Sequence, residues 1–338
     1  MENPIQKFVR PNILALQPYI SFRDTLSDGD YTLLDANENP FGTFNRYPDS
    51  TQKKLKQKLS EIKNVPSSQI ALGNGSDEMI DLIIKIFCDP KKDAIVVMNP
   101  SFAMYSFYAT INENKIVTLD LDTNFQLQKE EYLNKAKESS AKVLFLCSPN
   151  NQTGNSIDDL EFYIKNFDGI VVVDEAYIEF SNQTSILEKL NEFENLIVLQ
   201  SLSKARALAG LRIGMALSSE FIISLINKTK APYNISEVIM KMALQELEKV
   251  DEYKSRLQEV LVQKSILKQA FENSSSIKKV YDSDANFFLV EVENCEAFYD
   301  NLIQAKILCS KRFPTIPNAL RINVGTAEEN QKLIQILK

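Results

Sequence analysis

The stretch of this chain best equipped for chemistry is Ser201-Leu202-Ser203-Lys204, with Arg212 eight residues beyond the lysine. It follows the apolar run Leu196–Leu199 and precedes Gly210-Leu211-Arg212-Ile213-Gly214, a turn into another strand. A lysine among small residues at a strand end, flanked by hydroxyls and an arginine, suits an imine-forming site for a phosphorylated aldehyde. Desolvation lowers the pKa of such an amine and makes it a nucleophile. Hydroxyls and a guanidinium can hold a phosphate. Taken alone, a lysine beside serines is more often a solvated loop.

Two further segments add chemistry. Asp174 directly follows Ile170-Val171-Val172-Val173, and burying a carboxylate there is costly unless it is paired. A pyridinium N–H would be one such partner; capping a helix start is the plainer role. Gly73-Asn74-Gly75-Ser76-Asp77-Glu78 leads into a helix with Met79, Ile80, Ile83, Ile84 and Phe87 apolar. Its first-turn N–H groups are free for an anion, or for a simple N-cap. The glycine pattern is neither the dinucleotide fingerprint nor a Walker loop.

Composition removes many alternatives. The chain has 338 residues and no histidine, which excludes Ser-His-Asp and Cys-His nucleophile pairs and histidine acid–base catalysis. A proton shuttle must then be Lys, Tyr, Asp, Glu or Cys. The formal net charge of -7 argues against a nucleic-acid partner. No apolar run reaches membrane-spanning length, and Met1-Glu2-Asn3-Pro4 does not open a signal peptide. Cys88, Cys147, Cys295 and Cys309 are scattered without metal-ligand spacing, so no metal site is expected. Cys88 and Cys147 lie in apolar runs and read as core thiols of a cytoplasmic protein.

The elements that must position these residues follow from periodicity. Apolar strands at 94–98, 116–119, 143–146, 170–173 and 196–199 alternate with helical segments, which predicts a parallel-rich sheet covered on both faces. Ligands of such sheets collect beyond the carboxyl ends of the strands, and the polar clusters at 148–154, 174–177 and 201–204 all follow strand ends. Phe102, Tyr105, Phe107 and Tyr108 lie on an expected helix. Residues 1–34 read as an arm, 35–235 as a large domain and 236–338 as a small one, opened by a long helical stretch over 236–271. Strands follow at 287–292, 307–308 and 320–325, and Thr326 with Glu329 predicts a capping box. Arg321 faces either solvent or a buried anion, and alternation alone favours solvent.

Taken together, Leu34–Gly42, Tyr47-Pro48, Gly73–Glu78, Ser148–Gly154, Asp174–Tyr177, Ser201–Arg212 and Leu320–Thr326 resemble the fold-type I pyridoxal-phosphate aminotransferases of class I/II. More narrowly, they resemble the histidinol-phosphate aminotransferase family. The resemblance implies an α/β fold. Its large domain would carry a mostly parallel seven-stranded sheet, and an α+β C-terminal domain would be completed by the N-terminal segment. It implies pyridoxal 5′-phosphate as cofactor, with Lys204 binding its aldehyde covalently and moving a proton between Cα and C4′. Asp174 would keep the ring nitrogen protonated, Tyr177 and Asn151 would hydrogen-bond the ring hydroxylate, and Tyr105 would stack on the ring. Ser76, Asp77, Ser201, Ser203 and Arg212 would hold the phosphate, with Tyr47 reaching that of the other subunit in a homodimer with shared active sites. Arg321 would take the carboxylate of glutamate or 2-oxoglutarate and help hold the substrate phosphate, with Tyr19 nearby.

Two positions depart from the family pattern. Gln152 stands where a proline usually follows the asparagine, which leaves the isomer of the Asn151–Gln152 peptide open. Cys309-Ser310 intervene before Lys311-Arg312, leaving open which of those bases meets a substrate phosphate; Arg312 is the candidate. The reading is transamination between L-histidinol phosphate and 2-oxoglutarate. The alternatives are an aromatic amino-acid aminotransferase, a threonine-phosphate decarboxylase, and a cofactor-binding regulator without catalysis.

Overall fold

Seven strands form the main sheet of the computed structural model, which describes residues 3–26, 29–312 and 315–337. They are β1 (Ile70–Asn74), β2 (Ala94–Asn99), β3 (Lys115–Asp120), β4 (Ala141–Cys147), β5 (Ile170–Asp174), β6 (Leu196–Ser201) and β7 (Ile213–Ser218). Their spatial order is β1-β7-β6-β5-β4-β2-β3. β3, β2, β4, β5 and β6 run parallel, and β7 is antiparallel to both β6 and β1. The reversal follows from chain length. Only a short irregular segment joins Ser201 to Ile213, too little for the crossover a parallel neighbour requires. Every residue of β5, β6 and β7 is buried, as expected of strands covered on both faces. The edge strand β3 is largely exposed and carries Lys115 and Asp120, a usual protection of a sheet edge.

Register brings the carboxyl ends together. Cys147 pairs with Asp174, and Asp174 with Leu199. The residues after β4, β5 and β6 therefore emerge side by side. The helix Gly75–Phe87 buries Met79, Ile80, Ile83, Ile84 and Phe87 against the sheet, and its N-terminus opens at the same edge.

The second sheet is antiparallel, in the order β10-β11-β9-β8. Its strands are β8 (Ile277–Val280), β9 (Phe287–Val292), β10 (Ser310–Lys311) and β11 (Ala319–Asn323). It has its own apolar core, including Leu267, Phe271, Phe288, Val290, Leu302 and Leu333. The helical stretch before it is two helices, Glu237–Leu247 and Val250–Glu272. The strand expected at 307–308 pairs only from Ser310, and Leu308 is exposed. Thr326 and Glu329 make the expected capping box. At the other end of the chain, Ile5, Val9 and Ile13 are buried in the core of the large sheet.

Candidate active site

Lys204 lies in the turn between β6 and β7. Hydrogen bonds from Leu202 N to Ile213 O (3.0 Å), Leu208 N to Leu202 O (3.0 Å) and Ala207 N to Lys204 O (2.9 Å) fold the segment back on itself. The side chain enters a pocket that it shares with Ser76, Asp174, Tyr177, Ser201 and Arg212. Its ammonium sits 5.3 Å from the Tyr177 ring centroid. Although the residue keeps solvent access through the pocket mouth, the amine is partly desolvated. That burial, reinforced by the charges of Arg321 and Arg212, lowers its pKa from the ordinary lysine range.

Asp174 ends β5 and is only 3% exposed. Tyr105 OH donates to Oδ2 at 2.7 Å, and Ala176 N donates to Oδ1 at 3.1 Å. Burial raises its pKa, and these two donors partly oppose the rise. Both donors are neutral, and among the described residues no cation forms an ion pair with the carboxylate, although the Lys204 charge also opposes the rise. Glu175 takes the opposite face, where Ser185 Oγ (2.5 Å), Ile186 N (2.8 Å) and Gln200 Nε2 (2.9 Å) satisfy it. Strand alternation thus separates two adjacent acids: Asp174 lines the pocket and Glu175 is structural.

Arg212 adopts a left-handed backbone, φ 54°. Its carbonyl accepts from Gly75 N at 2.7 Å, and its guanidinium donates to Asp77 Oδ2 at 3.1 Å. Gly75 also has positive φ (+73°), and a Cβ there would lie 2.5 Å from Arg212 Nη2. A Cβ on Gly214 would lie 2.1 Å from Ser76 N. These glycines let the first turn of the Gly75–Phe87 helix, which has no side-chain N-cap bond, approach β7 and the arginine. Ser203 N donates to Ser201 Oγ at 3.1 Å, which gathers both hydroxyl residues at the same rim.

Across the pocket, Tyr177 is 4% exposed, and burial lifts its phenol pKa to about 12. Its oxygen accepts from Asn151 Nδ2 at 2.8 Å. Arg321 reaches over from β11 and donates to Asn151 O (2.5 Å) and Oδ1 (3.1 Å). It therefore faces the large sheet, and not the solvent that alternation favoured. The only cis peptides precede Pro100 and Pro149 among the described residues, so the Asn151–Gln152 bond is trans.

One expected position is corrected. Tyr105 does not face the pocket as a stacking ring. It is 1% exposed, its ring lies on Phe145 (4.7 Å, 14° between planes), and its hydroxyl is spent on Asp174. Of these two rings, the one that lines the pocket is Phe102. Its place shortly after the β2 strand end was the available signal, and helical periodicity alone could not rank the two rings. Cys147, taken only as a core thiol, also lines the pocket and accepts from Asn151 N at 3.3 Å. Tyr47, Tyr19 and Arg312 lie outside this lining. Tyr47 stacks on Tyr233 (4.7 Å, 20°), and Tyr19 meets the same ring edge-on at 6.3 Å. Arg312 is held by Gln152 and Ser310.

The donor set fits a phosphorylated pyridine aldehyde. Asp174 offers a buried acceptor to a ring N–H, Tyr177 and Asn151 offer donors, and Lys204 offers the amine. The glycine cradle, the helix N-terminus, the two serines and Arg212 offer a phosphate seat.

The family described as aminotransferase class I and II matches residues 25–337. A histidinol-phosphate aminotransferase of Parabacteroides distasonis is 44% identical over 339 residues, covering 99% of this chain and 98% of that protein. Among solved structures, a putative histidinol-phosphate aminotransferase from Erwinia carotovora atroseptica superposes with a TM-score of 0.79 at 26% identity, covering 89% of this chain and 93% of that one. The histidinol-phosphate aminotransferase of Sinorhizobium meliloti, solved with pyridoxal 5′-phosphate, shares the fold with a TM-score of 0.79 at 21% identity, covering 86% and 82%.

Proposed function

The chain belongs to the class I and II aminotransferases, and from that premise we propose that it moves an amino group between L-glutamate and imidazole-acetol phosphate. The products are 2-oxoglutarate and L-histidinol phosphate, a step of L-histidine biosynthesis. The enzyme uses pyridoxal 5′-phosphate, which when bound supplies the electron sink that makes the substrate Cα–H removable. Lys204 would hold the aldehyde carbon, and its amine would carry the proton between the substrate Cα and C4′. Its lowered pKa leaves more of it neutral for that task. Asp174 holds the proton on the ring nitrogen. Tyr177 and Asn151 hydrogen-bond the ring hydroxylate. Ser76, Asp77, Ser201, Ser203 and Arg212 seat the phosphate.

Arg321 receives the carboxylate of glutamate and, in alternation, the phosphate of the other substrate, with Arg312 and the arm residue Tyr19 as further contacts to that phosphate. Tyr47 serves the phosphate seat of a second subunit, so the working form is a homodimer. Residues 35–235 act as the large cofactor-binding domain and 236–338 as a small C-terminal domain, with 1–34 as the arm. No helix among the described residues is long and apolar enough to cross a membrane, in keeping with a cytoplasmic site of action.

One observation carries this reading. A partly desolvated lysine shares a pocket with a buried carboxylate whose described hydrogen-bond donors are all neutral, and with a glycine-framed helix N-terminus. The test is spectroscopic. Purified protein loaded with pyridoxal 5′-phosphate should lose its aldehyde-form absorbance on adding glutamate and, in a separate sample, on adding histidinol phosphate. A holoprotein that converts phenylalanine efficiently but leaves histidinol phosphate untouched would sink the substrate assignment. Absence of any change with glutamate would sink transamination itself.

A further inference from the structure

The loop after β4 holds two guanidinium groups with two consecutive residues. Asn151 accepts from Arg321, as described, and Gln152 Oε1 accepts from Arg312 Nη1. The other end of the Gln152 amide donates to Ser101 O at 2.9 Å, and its backbone N donates to Asn150 Oδ1 at 3.1 Å. The side chain is therefore a strut. One end is fixed to the backbone beside Phe102 at the pocket wall, and the other to an arginine carried by the small sheet.

Arg312 is also bound to Ser310 Oγ, and its backbone N donates to Ala319 O at 2.9 Å. Ser310 is the register partner of Arg321, so Arg312, directly after β10, lies beside the strand that carries Arg321. Lys311, the other base considered for this role, is turned away. It pairs with Glu296 at 2.6 Å and lies over Tyr299.

The electrostatics are unusual. All the described acceptors of Arg312 and Arg321 are neutral amide, hydroxyl or carbonyl oxygens. Each guanidinium also keeps a buried Nε without a partner. Burial and the charge of Arg321 together lower the pKa of Arg312. Two like charges held close by neutral groups are stabilised by an anion, and more by a dianion than by a monoanion. A carboxylate can fill one arginine fork. A phosphomonoester carries about −1.5 to −2 charge and three acceptor oxygens, enough for two forks.

We propose that Gln152 is a specificity-determining residue: by holding Arg312 beside Arg321, it completes a two-guanidinium anchor that favours a phosphomonoester substrate over a carboxylate. This rests on the transaminase reading above. Gln152 is a positioning residue, and Arg312 makes the contact.

The test compares holoenzyme carrying Gln152→Ala, Gln152→Glu, Arg312→Ala and the Gln152→Ala/Arg312→Ala pair with wild type. The measurements are KM and kcat for histidinol phosphate and glutamate, and inhibition by inorganic phosphate against glutamate. Gln152→Ala should raise KM for the phosphate substrate and Ki for inorganic phosphate by about tenfold, the scale of one charge-assisted hydrogen bond. KM for glutamate should move by less than about twofold. Gln152→Glu, which puts a carboxylate on Arg312, should weaken phosphate further. The double variant should be no worse than Arg312→Ala, because both remove the same contact. Equal losses for glutamate and phosphate, or additive losses in the double variant, would overturn the proposal. A wild type that ignores histidinol phosphate would refute the substrate reading, while phosphate inhibition would still judge the anchor. Cofactor absorbance retained in each variant separates either outcome from misfolding.

Discussion

Lys204 works between two cations. Arg321 and Arg212 disfavour its ammonium form, while Asp174 and Asp77 favour it, and burial tips the balance toward the neutral amine. A depressed lysine pKa means that neutral amine persists at pH values where a free lysine is still charged. Removing a neighbouring positive charge must raise that pKa. Arg321→Ala should therefore move the pH dependence of Lys204 labelling in the apoprotein, followed by borohydride trapping of the aldehyde, to higher pH. A profile that stays in place would show that Arg321 exerts no field there. Tyr105 acts one step further out, since its hydroxyl is one of only two described donors to Asp174. A hydrogen bond to a charged group contributes about 1.5–3 kcal/mol. Tyr105→Phe should weaken cofactor binding by about tenfold, read as the dissociation constant in a fluorescence titration. Unchanged affinity would mean that the phenol only fills space beside Phe145.

At the scale of elements, the proposed phosphate seat depends on how near the Gly75–Phe87 helix can come to β7. The helix starts where β1 ends, and β7 passes directly beneath its first turn at Gly214. A methyl on Gly214 meets backbone atoms, Ser76 N at 2.1 Å and Gly75 C at 2.3 Å, and backbone cannot rotate away. Gly214→Ala should cost about 1–3 kcal/mol of stability by overpacking and loosen cofactor binding with it. Gly210, in the same connection, has nothing within 4 Å of its would-be Cβ. Gly210→Ala should stay within about 0.5 kcal/mol of wild type. Thermal melts of the two variants, with and without cofactor, check the contrast; equal melting shifts would remove the close-approach argument.

At the scale of the molecule, most of the large apolar side chains that are more than half exposed lie along the arm and the segment that follows it. Tyr19, Ile20, Phe22, Leu34, Phe41, Phe44 and Tyr47 are all more than half exposed. A run of large apolar residues left open in one chain is the usual mark of an interface. It bears on catalysis because Tyr47 is proposed to serve a neighbour's site. Mixing inactive Lys204→Ala with impaired Tyr47→Ala under exchange conditions should restore activity, since a mixed dimer then contains one site with both native residues. No recovery, with exchange verified by tagged subunits, would place Tyr47 outside the shared site.

The amino-acid sequence alone singled out the residues proposed here as the catalytic skeleton. Lys204, Asp174, Arg212 and the glycine turn at 73–78 lie at the ends of apolar runs, and local pattern suffices to see a polar residue at the end of a buried strand. The absence of histidine confined the acid–base chemistry before any fold was considered. Tertiary structure alone decided which face each side chain meets. Periodicity on a short helix could not tell Tyr105 from Phe102, because that choice depends on a strand 40 residues away, Phe145 in β4. Alternation in β11 sent Arg321 toward solvent, but the neighbouring large sheet occupies that side. Lys311 and Arg312 are adjacent in sequence and opposite in role, because one meets Glu296 and the other meets Gln152. These contacts join residues far apart along the chain or on different elements, and no local periodicity encodes them.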